Sequence, residues 1–218
     1  RVWFYPIDWA VTGVWMQAWA GFAGAAAVVL VAKIGASTFL KERQLERKIA
    51  AADRLMAFVY KAKRAFPGIR NNGVIWAETA AAVERLKASQ TDYDGWPEWK
   101  KERYQIAQTV LDRLQANKSL WTELFECLPY ARAYFGAECE QQIDRVWRLY
   151  NRILSRANLF AKVSPDNPKS DEYEDIILEA SEDDEINTTI NSVVAYFEDK
   201  VLPTIASRPQ DKSWWSMS

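Results

Sequence analysis

The hydrophobic pattern of this 218-residue chain changes character once, near Lys33. Before that point, Trp9 to Ala32 is an uninterrupted run of 24 residues without a charge, bracketed by Asp8 and Lys33. After it, apolar residues recur every third or fourth position, the period that lines one face of an α-helix. At 1.5 Å of rise per residue the uncharged run is about 36 Å long as a helix, enough to cross a hydrocarbon core of roughly 30 Å. It is read as a transmembrane helix. A buried core helix of this length would carry a polar stripe, whereas Thr12 and Gln17 are its polar exceptions. A signal peptide would set basic residues ahead of the apolar stretch, and here they follow it.

The chain beyond Lys33 reads as a series of amphipathic helices. No Pro occurs from Lys33 until Pro67, so the span is expected to continue as one rod. Leu45, Ile49, Ala52, Met56, Val59 and Phe66 share one face of it, and Pro67-Gly68 is expected to end it. Asn71-Asn72-Gly73 forms a turn, and Val74 to about Ser89 gives a short Ala-rich helix. A loop around Thr91 to Trp96 leads to Pro97, placed to open a helix that runs to Phe135. Its seam is Ala107, Val110, Leu114, Asn117, Trp121, Leu124 and Leu128, with Asn117 a polar register pin. Pro129 should bend or interrupt this helix and Gly136 should end it. Ile143, Val146, Tyr150, Ile153, Ala157 and Phe160 mark the next helix, broken at Ser164 to Pro168. Ile186, Ile190, Val193, Phe197 and Val201 mark the last, from about Asp183 to Ala206.

The predicted fold is all-α, a single transmembrane helix continuing into a cytoplasmic antiparallel helical bundle. Residues 1–8 form a short extracytoplasmic segment, 9–32 the transmembrane helix and 33–66 a basic juxtamembrane helix. Residues 67–206 complete the bundle and 207–218 are a tail.

Composition narrows the chemistry. The chain has no histidine, which removes His-based acid–base catalysis, Ser-His and Cys-His nucleophiles and His-ligated metals. Cys127 and Cys139 are too few for a disulfide framework and lack CxxC spacing. No phosphate-binding loop of the form GxxxxGK[ST] is present. Glu123 and Glu126 stand three apart, as carboxylates of di-metal bundles do, but those centres pair Glu with His. Cys127 beside Leu128 reads as a small buried residue, and Trp96 and Trp99 as core aromatics at a helix start. No catalytic residue, metal site or cofactor is expected, and the chain is not expected to be an enzyme.

Charge then supplies topology. Lys33 to Arg70 carries ten basic residues against Glu42, Glu46 and Asp53, a net +7, while Arg1 is the basic residue ahead of the span. The positive-inside rule places the N-terminus outside and the bulk of the chain in the cytoplasm, at a plasma (inner) membrane. Lys33, Lys41, Arg43, Arg47 and Lys48 are candidates for lipid headgroups, each contributing about 1 kcal/mol close to an anionic surface. Trp3 and Trp9, and Trp214 and Trp215 in the tail, suit a membrane interface. Ala20 with Gly24, and Gly21 with Ala25, have the small-xxx-small spacing that lets helices approach, and Gln17 can bond across them.

Asp166 to Glu185 holds ten acidic residues and one Lys, a net −9. It has no Gly and so no EF-hand loop. Ser181 is expected to cap the last helix with Asp184 three residues on, and the acidic run could dock on a basic rod. Nucleic-acid binding is not expected, because the sign balance and motifs do not support it.

The layout is shared by many bacterial membrane proteins. The leading expectation is a non-enzymatic, membrane-tethered helical module that oligomerises or docks a protein partner at the cytoplasmic face. The alternative is a membrane-disrupting effector, a toxin or defence protein whose Ala- and Gly-rich spans assemble on a trigger sensed by the bundle.

Overall fold

The computed structural model describes residues 9–71, 73, 76–178 and 184–207, with side chains throughout these ranges except at 9–20, 26 and 76. Among the described residues every regular element is helical. These are α1 (Trp9–Arg70), α2 (Trp76–Ser89), a 3-10 turn (Tyr93–Gly95), α3 (Glu98–Ala116), α4 (Lys118–Phe135), α5 (Ala137–Phe160), α6 (Ser170–Ile177), α7 (Glu185–Lys200) and α8 (Leu202–Ala206). The chain divides into two compact units, residues 1–47 and 48–218.

Within the first unit the described part is one stretch of α1, and each described side chain from Gly21 to Arg47 is exposed. The second unit has a continuous core. Ile49, Ala52, Met56, Val59 and Phe66 of the expected α1 seam are buried in it, while Leu45, in the first unit, is exposed. Contacts between α1 and α4 occur in reverse order. Lys48 lies over Phe135, Arg54 pairs with Glu126, Lys61 pairs with Glu123, and Phe66 packs on Trp121. Beyond Gly136 the chain returns as α5, where Trp121 meets Tyr150 with ring centroids 4.4 Å apart. α7 then runs back along α5, from Glu185 against Arg152 to Tyr196 against Glu138. One end of this unit therefore gathers Lys48, the α4–α5 turn and α8; the other gathers Arg70, α6 and Asp184.

Four sequence expectations are corrected. First, α1 passes through Pro67 and ends at Arg70. Pro67 removes one backbone bond, but Phe66 and Ile69 on either side are fully buried and hold the last turn in helical form. Second, the helix expected from Pro97 to Phe135 is two helices that stop and restart at Asn117, whose φ of −92° and ψ of 18° leave the α-helical region. The freed carbonyls find other donors: Asn117 Nδ2 donates to Arg113 O at 2.8 Å and Trp121 Nε1 to Leu114 O at 3.3 Å. Third, the last helix is divided into α7 and α8, with Pro203 in the first turn of α8 where its missing N–H costs nothing. Fourth, Asp184 itself caps α7, accepting from Asn187 N at 2.9 Å, whereas Ser181 lies outside the described residues.

The acidic segment also holds a helix that charge alone does not announce. In α6, Tyr173, Ile176 and Ile177 are buried against the main core. α4 continues through Pro129 to Phe135 without interruption, and Gly136, at φ 91°, ends it as expected.

Candidate membrane helix and aromatic groove

The feature of the first unit is its outward apolar surface. Phe22 is 77% exposed and Leu40 60%, and Val28, Val29, Leu30, Val31, Ile34 and Phe39 between them are also largely exposed. No part of the apolar window in this helix is buried by the protein, and the helix is long and apolar enough to cross a membrane. Where the apolar surface meets the charged stretch, Ser37 and Thr38 turn their hydroxyls back onto Ile34 O at 2.8 and 3.0 Å. Neither hydroxyl then needs water, which lets both residues sit at an apolar boundary. Arg43 lays its guanidinium over the Phe39 ring at 5.0 Å.

The residues singled out by sequence fall into three groups. Lys33, Lys41, Arg43 and Arg47 are exposed, and none makes an ion pair among the described residues; Lys48 is half-buried, with Nζ 5.3 Å from the Phe135 ring centroid. Gly21, Gly24 and Ala25 are exposed on α1, and a Cβ at either glycine would meet nothing within 4 Å. The glycines are thus not required by any contact inside the chain. Gln17, Ala20 and Trp9 lie on α1 with side chains outside the description, and Trp3, Trp214 and Trp215 lie outside the described residues.

No family model, curated protein or solved structure matches this chain. Its chemistry is accordingly read from its own residues.

In the second unit, Trp121, Tyr150 and Trp147 stack in series, Trp147 and Tyr150 lying 4.9 Å apart at 16°, and the half-exposed Phe125 meets Trp147 edge-on at 4.8 Å. An open groove of about 480 Å³ runs past Leu114, Trp121, Phe125 and Tyr150, with Lys118 on its rim. Its lining joins this apolar contact to the polar side chains of Gln115, Thr122 and Glu126. Glu123 and Glu126 are occupied by Lys61 and Arg54, and no group of potential metal ligands forms among the described residues. Trp96 belongs to a satellite cluster with Leu86 and Tyr93, capped by Lys100 Nζ 3.8 Å from its ring, while Trp99 is partly exposed.

The resolved pKa shifts move groups away from neutrality. Burial pushes the Cys127 thiol up to about 11, with Glu123 adding to it, and the Cys139 thiol up to about 12. Both thiols are buried and unpaired. The hydrogen bond to Glu198 raises Tyr60, and the Arg152 hydrogen bond lowers Glu185.

Sequence reasoning missed three arginines that fasten the loops of this unit. Arg70 Nε and Nη2 donate to the carbonyls of Ile176, Asp175 and Leu178, closing the C-terminal end of α6. Arg103 donates to Val163 O at 2.8 Å and to Ser170 Oγ, with its guanidinium 4.1 Å from the Phe160 ring centroid. Arg113 donates to Asn71 O and Gly73 O and pairs with Glu78. A planar fork with five donors suits several carbonyls at once, as a lysine would not.

Proposed function

We propose that the chain is a non-enzymatic, membrane-tethered module: a single-pass helix with its N-terminus outside, at the plasma (inner) membrane, carrying a cytoplasmic antiparallel helical bundle. In this reading the module oligomerises or docks a protein partner at the cytoplasmic face. The observation that carries it is the exposure of every described apolar side chain from Gly21 to Leu40 on one continuous helix, followed directly by a basic stretch. Water would be a poor solvent for that surface, and lipid a good one. The reverse order of contacts along α1 and α4, and along α5 and α7, supports the bundle. The open faces at Gly21 and Gly24 support association between copies, since small residues allow close helix approach.

Carbonate extraction followed by crosslinking in native membranes tests this. The chain should stay in the pellet and give a crosslinked species that weakens in Gly21→Ile/Gly24→Ile. Release by carbonate removes the anchor, and a strictly monomeric chain that retains no partner removes the docking role.

A further inference from the structure

We infer that the groove beside Trp121 binds a small planar aromatic anion, a carboxylate carried on one or two fused rings. The site lies wholly within residues 48–218 and is independent of the anchor proposed above.

Four rings make its wall. Trp121 and Phe125 stand four apart on α4, and Trp147 and Tyr150 three apart on α5, so each helix presents a pair on one face. The pairs meet between the helices, Trp121 with Tyr150 at 4.4 Å between centroids and Phe125 with Trp147 at 4.8 Å. Trp121 is the fixed member. It is 5% exposed, Phe66 of α1 packs on it at 5.8 Å, and its Nε1 donates to Leu114 O at the end of α3. A wall shaped before the ligand arrives avoids the ordering cost that weakens binding. Phe125 is half-exposed beside it, and ring faces and edges of this kind receive another ring in offset or edge-on geometry.

Room decides between a small molecule and a partner's helix. At about 480 Å³ the groove falls within the range of small-molecule sites, roughly 300–1,000 Å³. Its lining on α4 runs from Lys118 to Glu126, about 12 Å of helical rise. Spread over that length, the volume gives a mean cross-section of about 40 Å², half of what a helix about 10 Å across would fill. A flat ring system fits such a slot, and a helix does not.

Charge decides the sign of the ligand. The lining holds two charged side chains, Lys118 and Glu126. Glu126 is already paired with Arg54 of α1, whereas Lys118 makes no ion pair among the described residues. Aromatic faces also attract cations, but here a cation would find the carboxylate taken and an ammonium on the rim. An anion finds the reverse, with the Gln115 amide, which has no hydrogen-bond partner among the described residues, as a second donor.

The test uses the full chain in neutral detergent, labelled with 5-fluorotryptophan, its Trp121, Trp147 and Trp99 fluorine signals assigned by single Trp→Phe changes. Three probes share one ring system: 2-naphthoate, the uncharged 2-naphthalenemethanol and 2-naphthylmethyl-trimethylammonium, each with its free concentration fixed by dialysis. Trp121 and Trp147 should shift saturably, at a two- to fivefold lower concentration of naphthoate than of the alcohol, the gain of about one exposed ion pair. The ammonium should bind most weakly. Trp99, partly exposed at the start of α3 and outside the groove, should stay still and, in the variants, report that the fold is intact. Lys118→Gln should bring naphthoate to the level of the alcohol, and Phe125→Ala should weaken all three probes about two- to tenfold. Unmoved Trp121 and Trp147 signals, or a Trp99 signal that moves with them, overturn the site. Equal binding of the three probes, or tighter binding of the ammonium, overturns the preference for an anion. A Trp121 signal that responds to protein concentration and not to the probes gives the groove to a second copy and overturns the inference.

Discussion

Arg70 and Asp184 form a buried ion pair, with Nη1 2.6 Å from Oδ2. The alignment is poor for a hydrogen bond, so the attraction between them is coulombic. The same guanidinium spends its other donors on three carbonyls at the end of α6, while Asp184 Oδ1 caps α7. One contact thereby joins the end of α1, the end of α6 and the start of α7.

Removing Arg70 strands a largely buried carboxylate and three carbonyls. Arg70→Met should destabilise the chain by about 3–5 kcal/mol, the cost of breaking a buried pair from one side. Asp184→Asn keeps an oxygen for the cap and the carbonyl bonds intact, so it should cost about 1–3 kcal/mol. Urea denaturation in detergent, followed by near-ultraviolet circular dichroism, measures both. Equal losses would show that the ion pair outweighs the carbonyl bonds.

Gly136 has φ 91° and ψ 179°, a region open essentially to glycine. A Cβ there would meet nothing within 4 Å, so any penalty for Gly136→Ala is purely a backbone one. The expected loss is about 1–3 kcal/mol. An unchanged denaturation midpoint would mean that the α4–α5 turn relaxes to another conformation.

Cys127 and Cys139 should behave as reporters of unfolding. Being buried with raised pKa values, they should react with a disulfide reagent at least about a thousandfold more slowly than in the denatured chain, because reaction waits for opening. Their linkage to stability runs one way. Below the ordinary thiol range both states hold the protons and nothing is lost; as pH rises beyond it the unfolded chain ionises first, and stability falls toward pH 11–12. Replacing both by alanine should flatten that alkaline decline in a pH series of denaturation midpoints.

Glu185 gives the acid counterpart. Its hydrogen bonds from Arg152 Nη1 and Nη2, at 2.5 and 2.8 Å, lower its pKa. The stabilisation is present above the usual carboxylate range and is lost as pH falls through the lowered value. The side chain is mostly exposed, so screening holds the coupling below about 1 kcal/mol. A double-mutant cycle of Arg152→Ala and Glu185→Ala at pH 7 and again at pH 3 should show weaker coupling at the lower pH.

The helical seams were legible because burial and period coincide: Val110, Leu114, Trp121 and Leu124 lie where the 3,4 spacing puts them, and all are buried. The break at Asn117 was not legible for the same reason. Both sides of it keep the same phase, so the spacing reads straight across a backbone that stops and restarts. α6 was hidden by its charge: Tyr173, Ile176 and Ile177 are too few to show a period among so many carboxylates. Arg70, Arg103 and Arg113 act on carbonyls that only folding brings near, at sequence separations of 105, 60 and 42, and nothing local marks them. Among the proposed site residues, the exposure of Gly21 and Gly24 follows from an uncharged run with no amphipathic seam, which has no face to bury.

The ladder between α1 and α4, from Lys48 on Phe135 down to Phe66 on Trp121, has a mechanical consequence. A pull along the axis of α1 loads all of its rungs in parallel, so they must yield together. A force that peels α1 sideways would instead release them one by one, and the chain should resist shear far better than unzipping.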